Sequence, residues 1–188
     1  MEAHMTLNLH KALFRFVFIL SLGSALWAQD RSELAFSAGG GALQVDSGSS
    51  ATPVFGVSYL YHITDHVSAE GSLDLFFHKF LTGPVDSQEV FWDGYTGAEA
   101  ALVYHFKDWR DTGRWIPFAV VGIGKTTTDF TEIPASRYIR LGGGVSYHFT
   151  EKLGGRVEIR DEIINRLYSA GGSNANLPSV RASIVYRF

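Results

Sequence analysis

In the stretch Pro53-Val-Phe-Gly-Val-Ser-Tyr-Leu-Tyr-His-Ile63 the two faces of the chain differ in kind. Phe55, Val57, Tyr59, Tyr61 and Ile63 fall on one face, and Gly56, Ser58, Leu60 and His62 on the other. A period of two is the signature of a strand with unlike sides. The end of this stretch returns along the chain. Tyr61-His62-Ile63 is followed by Tyr104-His105-Phe106, then Tyr147-His148-Phe149, and finally Tyr186-Arg187-Phe188. The first three copies are evenly spaced, and each is followed by a polar connection. A unit of roughly 40 residues that closes on the same signal is one supersecondary element used repeatedly. The reading is a hairpin repeated four times, hence eight strands.

Working outward, alternation places strands at 33–45, 53–63, 67–78, 93–106, 115–126, 136–149, 153–163 and 178–188. Strand five, 115–126, is apolar on both faces, so periodicity leaves its phase open. Connections 64–66 and 150–152 are short and polar, and 107–114 is charged. Connections 46–52, 79–92, 127–135 and 164–177 are mostly longer and richer in Gly, Ser and Thr. In an antiparallel meander the two kinds of connection fall at opposite ends. Both chain termini then lie at the short-turn end.

Composition narrows the class. A net charge of −3 gives no basic footprint for nucleic acid. The absence of cysteine leaves burial or backbone closure to hold an exported chain together. Residues 1–28 have the form of a secretory signal peptide: Lys11 and Arg15, an apolar core at 16–23, and small residues around Ala28. Residues 29–188 form one domain. It has no apolar run long enough for a spanning helix, which needs roughly 20 residues. Yet the chain is 46% hydrophobic and 14% aromatic. Strands that face lipid on alternate positions account for both facts.

The polar faces carry full charges: Glu70, Asp74, Glu99, Arg140, Arg156, Glu158, Arg160, Glu162, Arg181 and Arg187. Five acids and five arginines can pair. In a soluble barrel such a face meets water, whereas in a membrane barrel it lines the lumen. Lipid requires that the strand set be closed, because a free edge cannot be satisfied there. Tyr61, Tyr104, Tyr147 and Tyr186, with Phe106, Phe149 and Phe188, then form an aromatic girdle at one membrane–water interface.

Two segments carry a resemblance. Gly142-Gly-Gly-Val-Ser-Tyr-His-Phe-Thr-Glu-Lys-Leu-Gly-Gly-Arg-Val-Glu-Ile-Arg-Asp161 resembles a strand, turn and strand of the small eight-stranded outer-membrane barrels. These comprise the OmpA-like transmembrane domain and its opacity-type relatives. Arg181-Ala-Ser-Ile-Val-Tyr-Arg-Phe188 resembles the terminal signal read by the barrel-assembly machinery, with Tyr186 and Phe188 as its aromatic residues. Ser183 stands where that signal prefers Gly. The resemblance implies an eight-stranded antiparallel up-and-down transmembrane β-barrel, monomeric, in a Gram-negative outer membrane. It also implies a structural or adhesin-like, non-enzymatic role. The partners expected are outer-membrane lipid, the assembly machinery, and a surface ligand at loops 79–92 and 164–177. A small gated pore and a soluble secreted barrel around a lipophilic ligand are the alternatives.

No cofactor is expected. His62, His105 and His148 share the inner face near one rim, but they come from strands that are not neighbours, so no metal is assigned to them. Gly122-Ile-Gly-Lys-Thr126 lacks the first Gly of a phosphate loop, with Ala119 in its place, and no helix follows. A hydrolase of this class would need a Ser, a His and an acid together on the outer face near the upper rim. The outward positions read as nearly all apolar.

Overall fold

The computed structural model describes residues 31–45, 48–82, 89–127, 137–165 and 175–188. Its eight strands are β1 (Ser32–Val45), β2 (Gly48–His62), β3 (Val67–Thr82), β4 (Glu89–His105), β5 (Trp115–Thr127), β6 (Arg137–His148), β7 (Leu153–Asn165) and β8 (Ala175–Arg187). Each pairs antiparallel with its neighbour in sequence, and β1 pairs with β8, closing the barrel. Closure is what removes the two free edges that an open sheet would present. No helix among the described residues is long and apolar enough to cross a membrane. The segment read as a signal peptide lies outside the described residues.

The two short turns are built alike. At the β2–β3 turn, Ile63 N donates to Val67 O at 2.9 Å, and Thr64 Oγ1 accepts from Val67 N at 2.9 Å. At the β6–β7 turn, Phe149 N donates to Leu153 O at 2.9 Å, and Thr150 Oγ1 accepts from Leu153 N at 2.9 Å. A threonine hydroxyl that satisfies its own turn is the reason so few residues suffice. The sequence signal and the turn geometry repeat together.

Five boundaries differ by two residues or more from those read in the sequence. β2 begins at Gly48, and β3 and β4 run on as far as the pair Thr82↔Glu89, so most of 79–92 is strand rather than loop. β7 likewise reaches Asn165 and β8 starts at Ala175. Backbone pairing carries Phe80, Leu81, Val90 and Phe91 along, as Phe80↔Phe91 and Leu81↔Val90. The phase of β5 is now defined. Ile116, Phe118 and Val120 are buried, while Trp115, Val121 and Ile123 are exposed. Both faces are apolar because part of the lumen is apolar too: Leu60, Ala101, Val103, Phe118 and Val120 pack together inside.

Candidate functional site

The interior is layered along the barrel axis. At the centre Arg140 lies on β6, fully buried. Its Nη1 donates to Glu70 Oε1 at 3.1 Å, across the lumen on β3, and also pairs with Glu99 on β4. Its Nη2 and Nε donate to Glu158 Oε1 on β7 at 2.5 and 3.1 Å. Arg156 joins the same two acids, from Nη1 to Glu70 Oε2 at 2.9 Å and from Nη2 to Glu158 Oε2 at 2.8 Å. Its guanidinium also lies over the Phe118 ring, 4.1 Å from the centroid. Forked guanidinium donors meeting carboxylates are the strongest such contacts available. Burial demands them, since an ion desolvated without a partner is very costly.

Toward the loop end the network continues. Arg160 Nε lies 2.9 Å from Glu158 Oε1, and its Nη1 lies 3.5 Å from Asp74 Oδ2. Arg181 on β8 holds Asp74 Oδ1 at 2.5 Å and Glu162 Oε1 at 2.6 Å. Above this layer Val54, Phe76 and Leu177 form one buried apolar cluster, and Tyr138, Ile164 and Ala175 another. Leu43 packs against both.

The short-turn end is closed differently. Glu33 Oε1 on β1 lies 3.3 Å from His62 Nε2, 3.2 Å from His148 Nε2 and 3.2 Å from Arg187 Nε. Ser68 Oγ bridges His62 Nδ1 at 2.6 Å and His105 Nε2 at 3.0 Å. The connection between β4 and β5 folds under this layer. Trp109 stacks on His62, with ring centroids 3.7 Å apart and planes 3° from parallel, and its carbonyl accepts from Arg187 Nη2 at 2.5 Å.

A polar, paired lumen inside an apolar wall is inverted relative to a soluble domain. All eight strands present exposed apolar residues outward, among them Phe36, Phe55, Leu75, Leu102, Ile123, Ile139, Ile159 and Ile184. The family model described as "Outer membrane protein beta-barrel domain" matches residues 16–188.

The chain belongs to this outer-membrane β-barrel family.

Membership places it in the bacterial outer membrane, crossed by strands. Solved structures of the family's size agree in fold. Neisserial surface protein A is 19% identical, with a TM-score of 0.55, covering 84% of this chain and 97% of that one. Ail of Yersinia pestis, in complex with the heparin analogue sucrose octasulfate, is 12% identical, with a TM-score of 0.52, covering 82% and 97%. The outer membrane enzyme PagL is 17% identical, with a TM-score of 0.54, covering 79% and 97%. No curated protein sequence matches the chain.

Within this outer-membrane barrel the ten lumen charges read from sequence all lie inside, but not as one set of five pairs. Arg187 stands apart at the floor with Glu33, a residue the sequence reading did not include. The rings at the short-turn rim pack as neighbours: Tyr104 with Phe106, Tyr147 with Phe149, and Tyr186 with Phe188, at 5.1–5.3 Å between centroids. Trp115 joins them, 5.0 Å from Tyr147, once the phase of β5 is known. The three histidines do gather, through Ser68 and Glu33 rather than around a shared point. Ser68, His62 and Glu33 also follow one another in the order nucleophile, base and acid, at the end opposite the loops.

Proposed function

We propose that this barrel is a non-conducting, non-enzymatic outer-membrane protein that acts through its extracellular loops, as a structural or adhesin-like surface component. The observation that carries this reading is the stacking of closures in the lumen. Apolar clusters at the loop end, the Arg140 network at the centre and Trp109 at the floor lie in series. A route for solute would have to break all three. An eight-stranded barrel has room for little beyond its own side chains. A catalytic role for Ser68 meets the same obstacle, since Ser68 and His62 are fully buried beneath the Trp109 ring.

Specific recognition then belongs to the connections at the loop end. Those outside the described strands carry Asp46, Asp86, Asp129 and Glu132 against Arg166 alone. This balance disfavours a polyanion of the kind seen with Ail and favours a neutral or basic partner surface. Neutral liposomes holding the refolded chain test this. They should be retained on immobilised polylysine and not on immobilised heparin, and replacement of 128–136 by Gly and Ser should abolish retention. Equal retention after replacement, or retention on heparin, contradicts the reading. A gated pore is the second reading, favoured by one observation: Arg160 lies within 4 Å of Glu158, Asp74 and Glu162, so its partners can exchange.

A further inference from the structure

Among the described side chains, the loop-side half of the lumen is one positive charge short. Glu70, Asp74, Glu99, Glu158 and Glu162 are held by Arg140, Arg156, Arg160 and Arg181, because Arg187 is engaged with Glu33 at the other end. His62, His105 and His148 do not supply the difference, since they lie at the floor. The excess can be located. Glu99 places one oxygen on Arg140, but its Oε2 is buried and accepts no hydrogen bond. Asp74 Oδ2 accepts none either, and the Arg160 Nη1 beside it stands off at 3.5 Å. One oxygen each of Asp74, Glu99 and Glu162 lie within 4.8 Å of one another. Three oxygens that close can touch one ion at distances near the roughly 2.3–2.6 Å of calcium–oxygen contacts.

A second observation is independent of the carboxylates. Tyr138 is 2% exposed, and its hydroxyl has no hydrogen-bond partner. Its ring lies flat across β5 at Gly124, where a Cβ would overlap it. The hydroxyl reaches Gly97 on β4, where a Cβ would stand 3.3 Å from it. Gly97 is the ladder partner of Asp74 and shares its face with Glu99. Two glycines thus clear a path that delivers a neutral oxygen to the edge of the acidic group. A buried phenol without a partner is costly, so this arrangement calls for an occupant.

We propose that Asp74, Glu99 and Glu162, with the Tyr138 hydroxyl as a neutral fourth donor, bind one hard monovalent cation of the sodium class inside the barrel. All four donors are oxygens, which suit an alkali or alkaline-earth ion rather than a soft metal. The charge deficit of one selects a single charge over two. The ion neutralises the unmatched carboxylate charge among the described side chains of these layers and takes the free lone pair of the phenol oxygen. It serves the fold from within, beyond any role of the loops.

The experiment is urea unfolding of the mature chain in zwitterionic detergent, in sodium chloride against choline chloride at matched ionic strength. The unfolding constant should fall about tenfold for each tenfold rise of sodium above its dissociation constant, and stay flat in choline. Glu99→Gln keeps an oxygen for Arg140 and removes the excess charge, so its stability should not respond to sodium. Tyr138→Phe leaves every ion pair in place, so it should fold and show a weakened response. Identical curves in sodium and choline for the wild type overturn the proposal, as does an undiminished sodium response in Tyr138→Phe. It is equally overturned if acidification in choline alone stabilises the wild type while sodium does not, because a proton then fills the place.

Discussion

Glu158 and Ile159 are neighbours in the chain and opposites in surroundings. Glu158 is 3% exposed among three arginines, and Ile159 is 66% exposed on the outer wall. The same contrast runs round the barrel, one residue out of phase, and it shows how one backbone serves two solvents. The outer wall is held by lipid and needs only apolar surface. The inner wall has neither lipid nor bulk water, so each charge depends on particular partners. Disturbances of the two walls should therefore differ in kind as well as size.

The largest effect should come from inside. Arg140→Ala strands Glu99 and takes one of two or more arginines from Glu70 and Glu158, and a broken buried network costs about 3–5 kcal/mol. Urea unfolding of the refolded protein should register that loss in full. On the outer wall Ile159→Arg, midway along β7, places a charge in hydrocarbon at about 2–4 kcal/mol. It should appear as loss of the heat-sensitive fast band on a detergent gel of outer membranes. Its cost should shrink in detergent, where water reaches the wall, while that of Arg140→Ala should not. Next comes Trp109→Ala at the floor. It removes a ring that is 2% exposed together with its stack on His62, about 3 kcal/mol by the measure of buried aromatic truncations. Bilayer recordings of this variant should still show no steady current, because the central and loop-side closures remain. The smallest effect belongs to the turn surface. Asp65 pairs with Arg110 while both side chains are 51% exposed. Asp65→Asn should cost no more than about 1 kcal/mol, and less at high salt. A larger loss there would mean that the surface pair, and not the lumen, governs stability.

Much of this was legible in the sequence because the governing pattern is local. Alternation, the Tyr-His-aromatic endings and the paired Thr turns are written within a few residues. They suffice for eight strands and their order. What was not legible depends on contacts across the chain. Glu33 opens the first strand, and its partner Arg187 lies at the end of the last, so their pairing exists only once β1 meets β8. Trp109 sits in a charged connection with no periodicity, and only the fold of that turn brings its ring under His62. Strand five hid its phase because it packs an apolar part of the lumen. Segment 79–92 read as a loop for its Gly-Pro and polar residues, yet its ends continue the ladder. Tyr138 lies on the same face of β6 as Arg140, but its reach over Gly124 and Gly97 follows from strand register alone.

Steady-state conductance of the refolded mature chain in a planar lipid bilayer tests the central claim most directly, namely that the lumen is closed by its own side chains. The account predicts no steady current at either polarity, with insertion verified by the heat-dependent gel shift of the same sample. Stable, reproducible conductance steps from the wild-type protein would contradict it and would make the Arg140 network a gate.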